Sequence, residues 1–231
     1  MGKITILPET TIDPISLMGR RAGICWGADI TDSEKNYKRG LDCIKSNHGR
    51  VFEFVNIEAI IEGYSARVIR EWYTHIGGSP TRLQSSTRYV NYDNFEYIIP
   101  KTVQTEEQKT WYNNAIDTIS QTLKNLEESG VKKEDAAMLL PLGMTTKIVD
   151  KRNVRSVISM AEQRMCSRAY WEYRELFNEY IKQLRLYSEE WATLIPMVMK
   201  PKCETLGYCP EKYSCERKPR KDWLLYSRSI I

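Results

Sequence analysis

The chain has 231 residues, 42% hydrophobic and 28% charged, an ordinary globular composition with room for one sizeable core or at most two small ones. Its 34 basic and 30 acidic residues leave a formal charge of +4, which suits anionic ligands but falls short of the strongly basic patch that marks nucleic-acid binding. No apolar run approaches the roughly 18 residues of a membrane span, and Met1-Gly2-Lys3-Ile4-Thr5 lacks the apolar core and cleavage site of a signal peptide, so a cytoplasmic protein without membrane contact is expected.

Residues 3–7 read as a short strand stopped by Pro8. Asp32 or Ser33 caps a helix that runs to about Asn47, where His48-Gly49 breaks it. From 51 to 61 the chain alternates, with Val51, Val55, Ile57, Ala59 and Ile61 on one face and Glu53 as a polar intruder, the pattern of a half-buried strand. Ser65 caps a helix through Tyr73, and Gly77-Gly78-Ser79-Pro80 forces its end. A polar loop follows to Tyr89, with β-rich segments near 89–92 and 97–99. Thr105 and Gln108 form a capping box for a helix whose apolar stripe is Trp111, Ala115, Ile116, Ile119, Leu123 and Leu126, ended by Gly130. A short helix over 134–140 stops at Pro141, and 145–149 reads as a strand. The longest element starts near Asn153 and extends to Leu194, with Val154, Val157, Ile158, Ala161 and Met165 as its first apolar stripe. Strands and helices do not alternate in a βαβ rhythm. The expected fold class is therefore α+β, with mixed helices around a small, mainly antiparallel sheet: one domain over 1–200 and a cysteine-containing basic tail over 201–231.

No GxGxxG or GxxxxGK phosphate loop and no GxSxG elbow occurs, and the two histidines, His48 and His75, exclude a multi-histidine metal centre. Polar chemistry concentrates first in the loop 79–89, where Arg82, Gln84, Ser85, Ser86, Thr87 and Arg88 offer two guanidinium forks, hydroxyls and an amide. Forks suit phosphate, and hydroxyls with an amide suit the edge of a base or sugar; a polar surface loop is the bland alternative. The second concentration is Asn153, Arg155, Ser159, Arg164 and Arg168, leading into Trp171-Glu172-Tyr173-Arg174. At helical spacing Arg155 and Ser159 share a region of the surface, whereas Arg164 points roughly 140° away from Ser159. Either two ligands meet this helix, or pockets lie between subunits, or the charges only lace a solvated face.

In order and spacing these segments resemble the flavin-dependent thymidylate synthases. Ser86-Thr87-Arg88-Tyr89 matches the family's Ser-x-Arg-Tyr, preceded as in the family by a histidine (His48) before a strand and an arginine-bearing helix. Glu134-Asp135-Ala136-Ala137 and Leu140-Pro141 match part of its Glu-Asp-Ala-Arg…Leu-Pro segment. Asn153, Arg155, Arg164, Arg168, Ala169, Trp171, Glu172 and Arg174 match its Asn-x-Arg helix and the Arg- and Trp-bearing segment that the helix runs into. The resemblance covers about 48–174 and implies a homotetramer with active sites shared between chains. It implies reductive methylation of deoxyuridine monophosphate, with methylenetetrahydrofolate as carbon donor, FAD as cofactor and NADPH as reductant. On that pattern Ser86, Thr87, Arg88, Gln84 and Arg82 hold the nucleotide, and Arg164 binds or polarises its pyrimidine as the catalytic residue. His48, His75, Asn153, Arg155 and Ser159 fall toward the flavin, with Ser159 where the family commonly has asparagine.

The chain also departs from the pattern. Thr74-His75-Ile76-Gly77-Gly78 replaces an Arg-His-Arg, with one residue inserted; Leu83-Gln84 replaces asparagine and glutamate; Ala137 replaces an arginine that holds the substrate phosphate. Arg82 is the first candidate to replace the lost contacts, ahead of Arg67 and His75, and the glycine pair lets backbone N–H groups approach an anion. A divergent branch is implied. A related flavoenzyme acting on another pyrimidine nucleotide, or a non-enzymatic nucleotide- or RNA-binding module, are the alternatives. Cys203, Cys209 and Cys215 lie six apart but lack the CxxC spacing of strong zinc sites, and Cys166 reads as a neutral thiol on the long helix, so no metal is expected.

Overall fold

The computed structural model describes residues 2–221, so the last part of the expected basic tail, from 222 on, lies outside the described residues. In chain order the elements are β1 (Lys3–Ile6), α1 (Pro14–Cys25), α2 (Ser33–Lys45), a 3₁₀ helix (Gly49–Phe54), β2 (Asn56–Ser65), α3 (Ala66–Tyr73), β3 (Thr81–Gln84) and α4 (Glu106–Glu128). There follow α5 (Lys133–Ala136), a second 3₁₀ helix (Ala137–Leu139), β4 (Thr145–Asn153), α6 (Val154–Arg164), α7 (Trp171–Tyr187), α8 (Glu189–Val198) and α9 (Lys202–Leu206). The strands form one sheet in the order β1-β2-β4-β3. Its register is antiparallel: the Leu7 amide donates to the Glu58 carbonyl at 2.9 Å, Lys151 pairs with Glu58 at 2.6 Å and Lys147 with Glu62 at 3.0 Å. The α+β expectation holds.

Packing divides the chain into two compact units: the start to Lys3 with Ile60–Thr74 and Arg82–Val149, and Ile4–Ala59 with His75–Thr81 and the described chain from Asp150 on. The first unit has a core of Phe95, Ile116, Leu123, Ala136 and Met144, flanked by Tyr97, Tyr112, Ile119, Leu126 and Leu140. Positions 112, 116, 119, 123 and 126 are spaced four and three apart, so they form the buried stripe of α4. Trp111 and Ala115, expected on that stripe, sit one residue back on the wheel and are exposed. The capping box of Thr105 and Gln108 is formed as expected.

In the second unit α1 and α2 cross at a glycine pair. A Cβ on Gly19 would run into the Asn36 carbonyl, and one on Gly40 into the Ile15 carbonyl, so the backbones approach as only glycine permits. The start of α1 is not capped by Asp13; Glu190 of α8 accepts from the Ile15 and Ser16 amides at 2.7 and 2.9 Å. The fully buried residues include Ile57, Val157, Met160, Tyr173, Phe177, Tyr180 and Trp191.

Four local expectations are corrected. Residues 51–54 are 3₁₀ helix, not strand: Val51 and Phe52 are both buried, which consecutive residues of a half-buried strand cannot be, and the Val51 amide turns back to the His48 carbonyl at 3.2 Å. No strand forms over 89–92, and near 97–99 there is only the isolated bridge of Tyr97 with Met144; the strand of this region is β3, inside the expected loop. β4 continues past 149 to Asn153. The helix expected to reach Leu194 is three helices. From Ala161 to Tyr173 an unbroken helix would rotate the buried face by roughly 120°. The break at 165–170 resets it, with Arg217 donating to the Met165 carbonyl at 3.2 Å. At Ser188 the backbone is extended, and its hydroxyl caps α8.

Candidate active site

The loop of the first unit is built from β3 outward. Gln84 donates to the Thr146 hydroxyl at 3.2 Å and the Ser85 amide to the Lys147 carbonyl at 2.9 Å, which ties the loop's root to β4. The chain then turns over Ser86: its carbonyl accepts from the Tyr89 and Val90 amides, and its Oγ accepts from the Arg88 amide at 3.2 Å. Ser86 and Thr87 are half-buried while Arg88 is exposed, its Nε 3.1 Å from Glu134 Oε2 and its guanidinium over the Tyr89 ring. Such an exposed ion pair is weak. Arg82 is more committed, donating to the Tyr73 carbonyl at 2.8 Å and stacking on the Tyr73 ring at 4.4 Å. Ala137 begins the 3₁₀ helix beside the almost fully exposed Met138.

In the second unit β4 runs directly into α6 through Asn153, whose Oδ1 caps the helix by accepting from the Ser156 amide at 2.9 Å. Gly78 stands against the same side chain: its φ of +75° is left-handed, and a Cβ there would lie 2.5 Å from Asn153 Nδ2. Gly78→Ala should therefore cost roughly 1–2 kcal/mol from backbone strain alone and lower the thermal midpoint by several degrees. An unchanged melting curve would show that Gly78 is not held in the left-handed region. Arg155 and Ser159 are exposed on α6. Arg155 is ion-paired with Glu53, and its guanidinium lies 3.6 Å from where a Gly49 Cβ would be, next to the exposed His48.

Arg164, the last residue of α6, has a different environment. Its Nε donates to His75 Nε2 at 3.0 Å, its guanidinium lies 4.5 Å over the Tyr173 ring, and the same ring meets His75 edge-on at 6.1 Å. Burial, followed by the charges of Arg164 and Arg152, pulls His75 down from 6.5 to about 4. The imidazole is thus neutral at physiological pH, as an acceptor for Arg164 must be. Because the folded value is depressed, the stability it contributes is complete above 6.5 and is lost as pH falls toward about 4, where only the unfolded chain takes up the proton. Unfolding free energies of wild type and His75→Gln should converge in slope above 6.5 and diverge below it. Parallel curves across the whole range would refute the assignment.

Behind this trio lies a feature that the sequence patterns did not reveal. Arg152 and Asp150 form a bidentate pair at 2.5 and 2.7 Å with both side chains fully buried. The pairing holds Arg152 charged although burial opposes it. The signal was available: 146, 148, 150 and 152 form the inward face of β4, and two opposite charges on such a face imply a buried pair. Of the expected residues, then, the structure joins His75 to Arg164, sets Arg155 beside His48-Gly49, and places Asn153 on Gly78. In the other unit it gathers Arg82, Gln84, Ser86, Thr87 and Arg88 on β3 and the following turn. Among the described residues no group of three or more His, Cys, Asp or Glu stands assembled around a metal position, and no helix is long and apolar enough to cross a membrane.

Comparison with known proteins identifies the family of the chain. Residues 7–187 match the family model described as thymidylate synthase complementing protein. The chain is 30% identical over 219 residues, 86% of each chain, to a flavin-dependent thymidylate synthase of Pyrococcus furiosus. It is 30% identical over 222 residues to one of Geobacter sulfurreducens, covering 90% of this chain and 91% of that one. With the model matched over most of its length and relatives similar nearly end to end, the chain belongs to the thymidylate synthase complementing family, the flavin-dependent thymidylate synthases.

Proposed function

We propose that the chain converts deoxyuridine monophosphate to thymidylate by reductive methylation, with methylenetetrahydrofolate as carbon donor, FAD as cofactor and NADPH as reductant, acting as a cytoplasmic homotetramer. The observation that carries this reading is Arg164, a guanidinium fixed from two directions by a neutral histidine and an aromatic face. Negative charge builds on the pyrimidine carbonyl oxygens when the ring is attacked, and a preoriented cation stabilises it without reorganising.

The donor set also fits the cofactor. Exposed Arg155 and Ser159 on α6, the His48-Gly49 turn beside Arg155, and the glycine turn at Gly78 against Asn153 suit a ligand with anionic phosphates and a polar ring edge. When bound, reduced flavin supplies the hydride. The protein's own part is to bind and orient: Asn153 and Arg155 set the cofactor end of α6, and Arg164 sets the other. Ser86, Thr87, Arg88, Gln84 and Arg82 hold the nucleotide, with Arg88 taking phosphate in place of Glu134. Ser86 acts as a binding group, its Oγ serving the turn through the Arg88 amide.

Incubation with both substrates and NADPH should yield thymidylate, and the purified protein should be yellow. A colourless protein that binds nucleic acid in a salt-dependent manner would favour a binding module instead. Flavin binding without thymidylate would favour another pyrimidine nucleotide, which the loss of arginine at Ala137 makes the natural second reading. Arg88→Ala should weaken deoxyuridine monophosphate about 10- to 100-fold, the worth of a charge-assisted contact, and leave bound flavin unchanged. Loss of flavin in that variant would contradict the division of roles.

A further inference from the structure

Four of the six cysteines, distant in sequence, line one cavity of about 410 Å³ in the second unit: Cys166 from the turn after α6, and Cys203, Cys209 and Cys215 from the segment beyond α8. Local backbone geometry brings this segment back. Gly207, at φ +76°, ends α9 in the left-handed region between the first two of the three tail cysteines. The Cys209 amide donates to the Pro219 carbonyl at 2.7 Å, and Cys209 pairs with Arg220 in an isolated parallel bridge. The tail is fastened to the α6–α7 turn by three contacts. Arg217 donates to the Met165 carbonyl at 3.2 Å, Arg168 pairs with Glu211 at 2.9 Å, and Cys215 hydrogen-bonds Ser167.

We propose that Cys166, Cys203, Cys209 and Cys215 form a structural site for one thiophilic divalent cation of the zinc class. Four thiolates are a complete tetrahedral shell for such an ion, leaving no open position for catalysis. The shell would carry a net charge of −2, which needs compensation away from bulk water. The cavity supplies it: Arg164, Arg168, Lys202 and Arg217 line it against only Glu162 and Glu211, a surplus of two positive charges. The sulfurs are not drawn up as a finished shell. Coordination at about 2.3 Å per sulfur draws the four thiols together, so binding the ion tightens the tail against the 165–169 turn on which it is already seated. The chain thereby locks the turn that follows Arg164, the residue on which the proposed reaction depends, although the site itself is independent of that reaction.

The test is metal content of the full chain, expressed with zinc supplied and purified reduced and without chelator. One zinc per chain is expected, released by a mercurial reagent that titrates the thiols. Cys209→Ser and Cys166→Ser should each lose most of it, while Cys25→Ser, outside the cavity, keeps it. Far-ultraviolet circular dichroism and flavin content show whether the variants remain folded. Zinc at background in wild type would overturn the proposal, as would full zinc in folded Cys209→Ser, iron with sulfide in place of zinc, or a mass two hydrogens low per cysteine pair.

Discussion

Asp150→Ala is expected to destabilise the protein by about 3–5 kcal/mol, because it strips the buried guanidinium of Arg152 of its bidentate carboxylate. Arg152 is 2% exposed, two of its nitrogens rest on Asp150, and a third donates to the Met160 sulfur at 2.8 Å, a weak acceptor. For a chain of this size the thermal midpoint should fall by roughly 10 °C. Asp150→Ala with Arg152→Met removes both charges and replaces them with apolar volume, so it should recover most of the loss. If the double variant is no better than the single one, the penalty comes from lost packing and not from the stranded charge. The change should also reach His75, whose depressed value owes part of its shift to Arg152.

Arg164→Ala should reduce kcat by about 10²–10³-fold, the usual cost of removing one preoriented donor from a site of developing charge. Flavin content and stability should change little, since Arg164 is only half-buried at the end of α6. Arg164→Lys should rescue poorly: an ammonium cannot both donate to His75 and present a planar fork to a carbonyl. His75→Ala tests the positioning directly. It should lower kcat less than Arg164→Ala, and should add little more on top of Arg164→Ala, because both act through one guanidinium. Retention of near-normal kcat by Arg164→Ala would remove the residue from the chemistry.

The sequence made the ends of elements legible wherever a side chain caps a backbone. Asp32, Ser65 and Thr105 cap helices where expected because a cap is a local event, decided within four residues. It was less informative where the deciding partner is remote. The start of α1 is satisfied by Glu190, and the break after Arg164 by Arg217, neither of which a local pattern can report. β3 was hidden because its residues are exposed or half-buried, so they carry no apolar alternation.

The candidate site divides along the same line. The motif over 86–89 and the Asn-x-Arg start of α6 were readable as contiguous letters. The union of His75 with Arg164, 89 residues apart, was not. Periodicity did anticipate that Arg155 and Arg164 serve different surroundings: the first is exposed beside Glu53 and the second is packed on Tyr173. Cys166 reads from the sequence as a neutral thiol on the long helix, because the three cysteines that line the same cavity come from the segment beyond α8.

The most direct measurement is flavin absorbance under anaerobic conditions. NADPH should bleach the bound flavin, and addition of methylenetetrahydrofolate with deoxyuridine monophosphate should restore the colour while thymidylate appears. Bleaching that never recovers with these substrates would contradict the proposed reaction, and failure to bind flavin at all would contradict the account at its base.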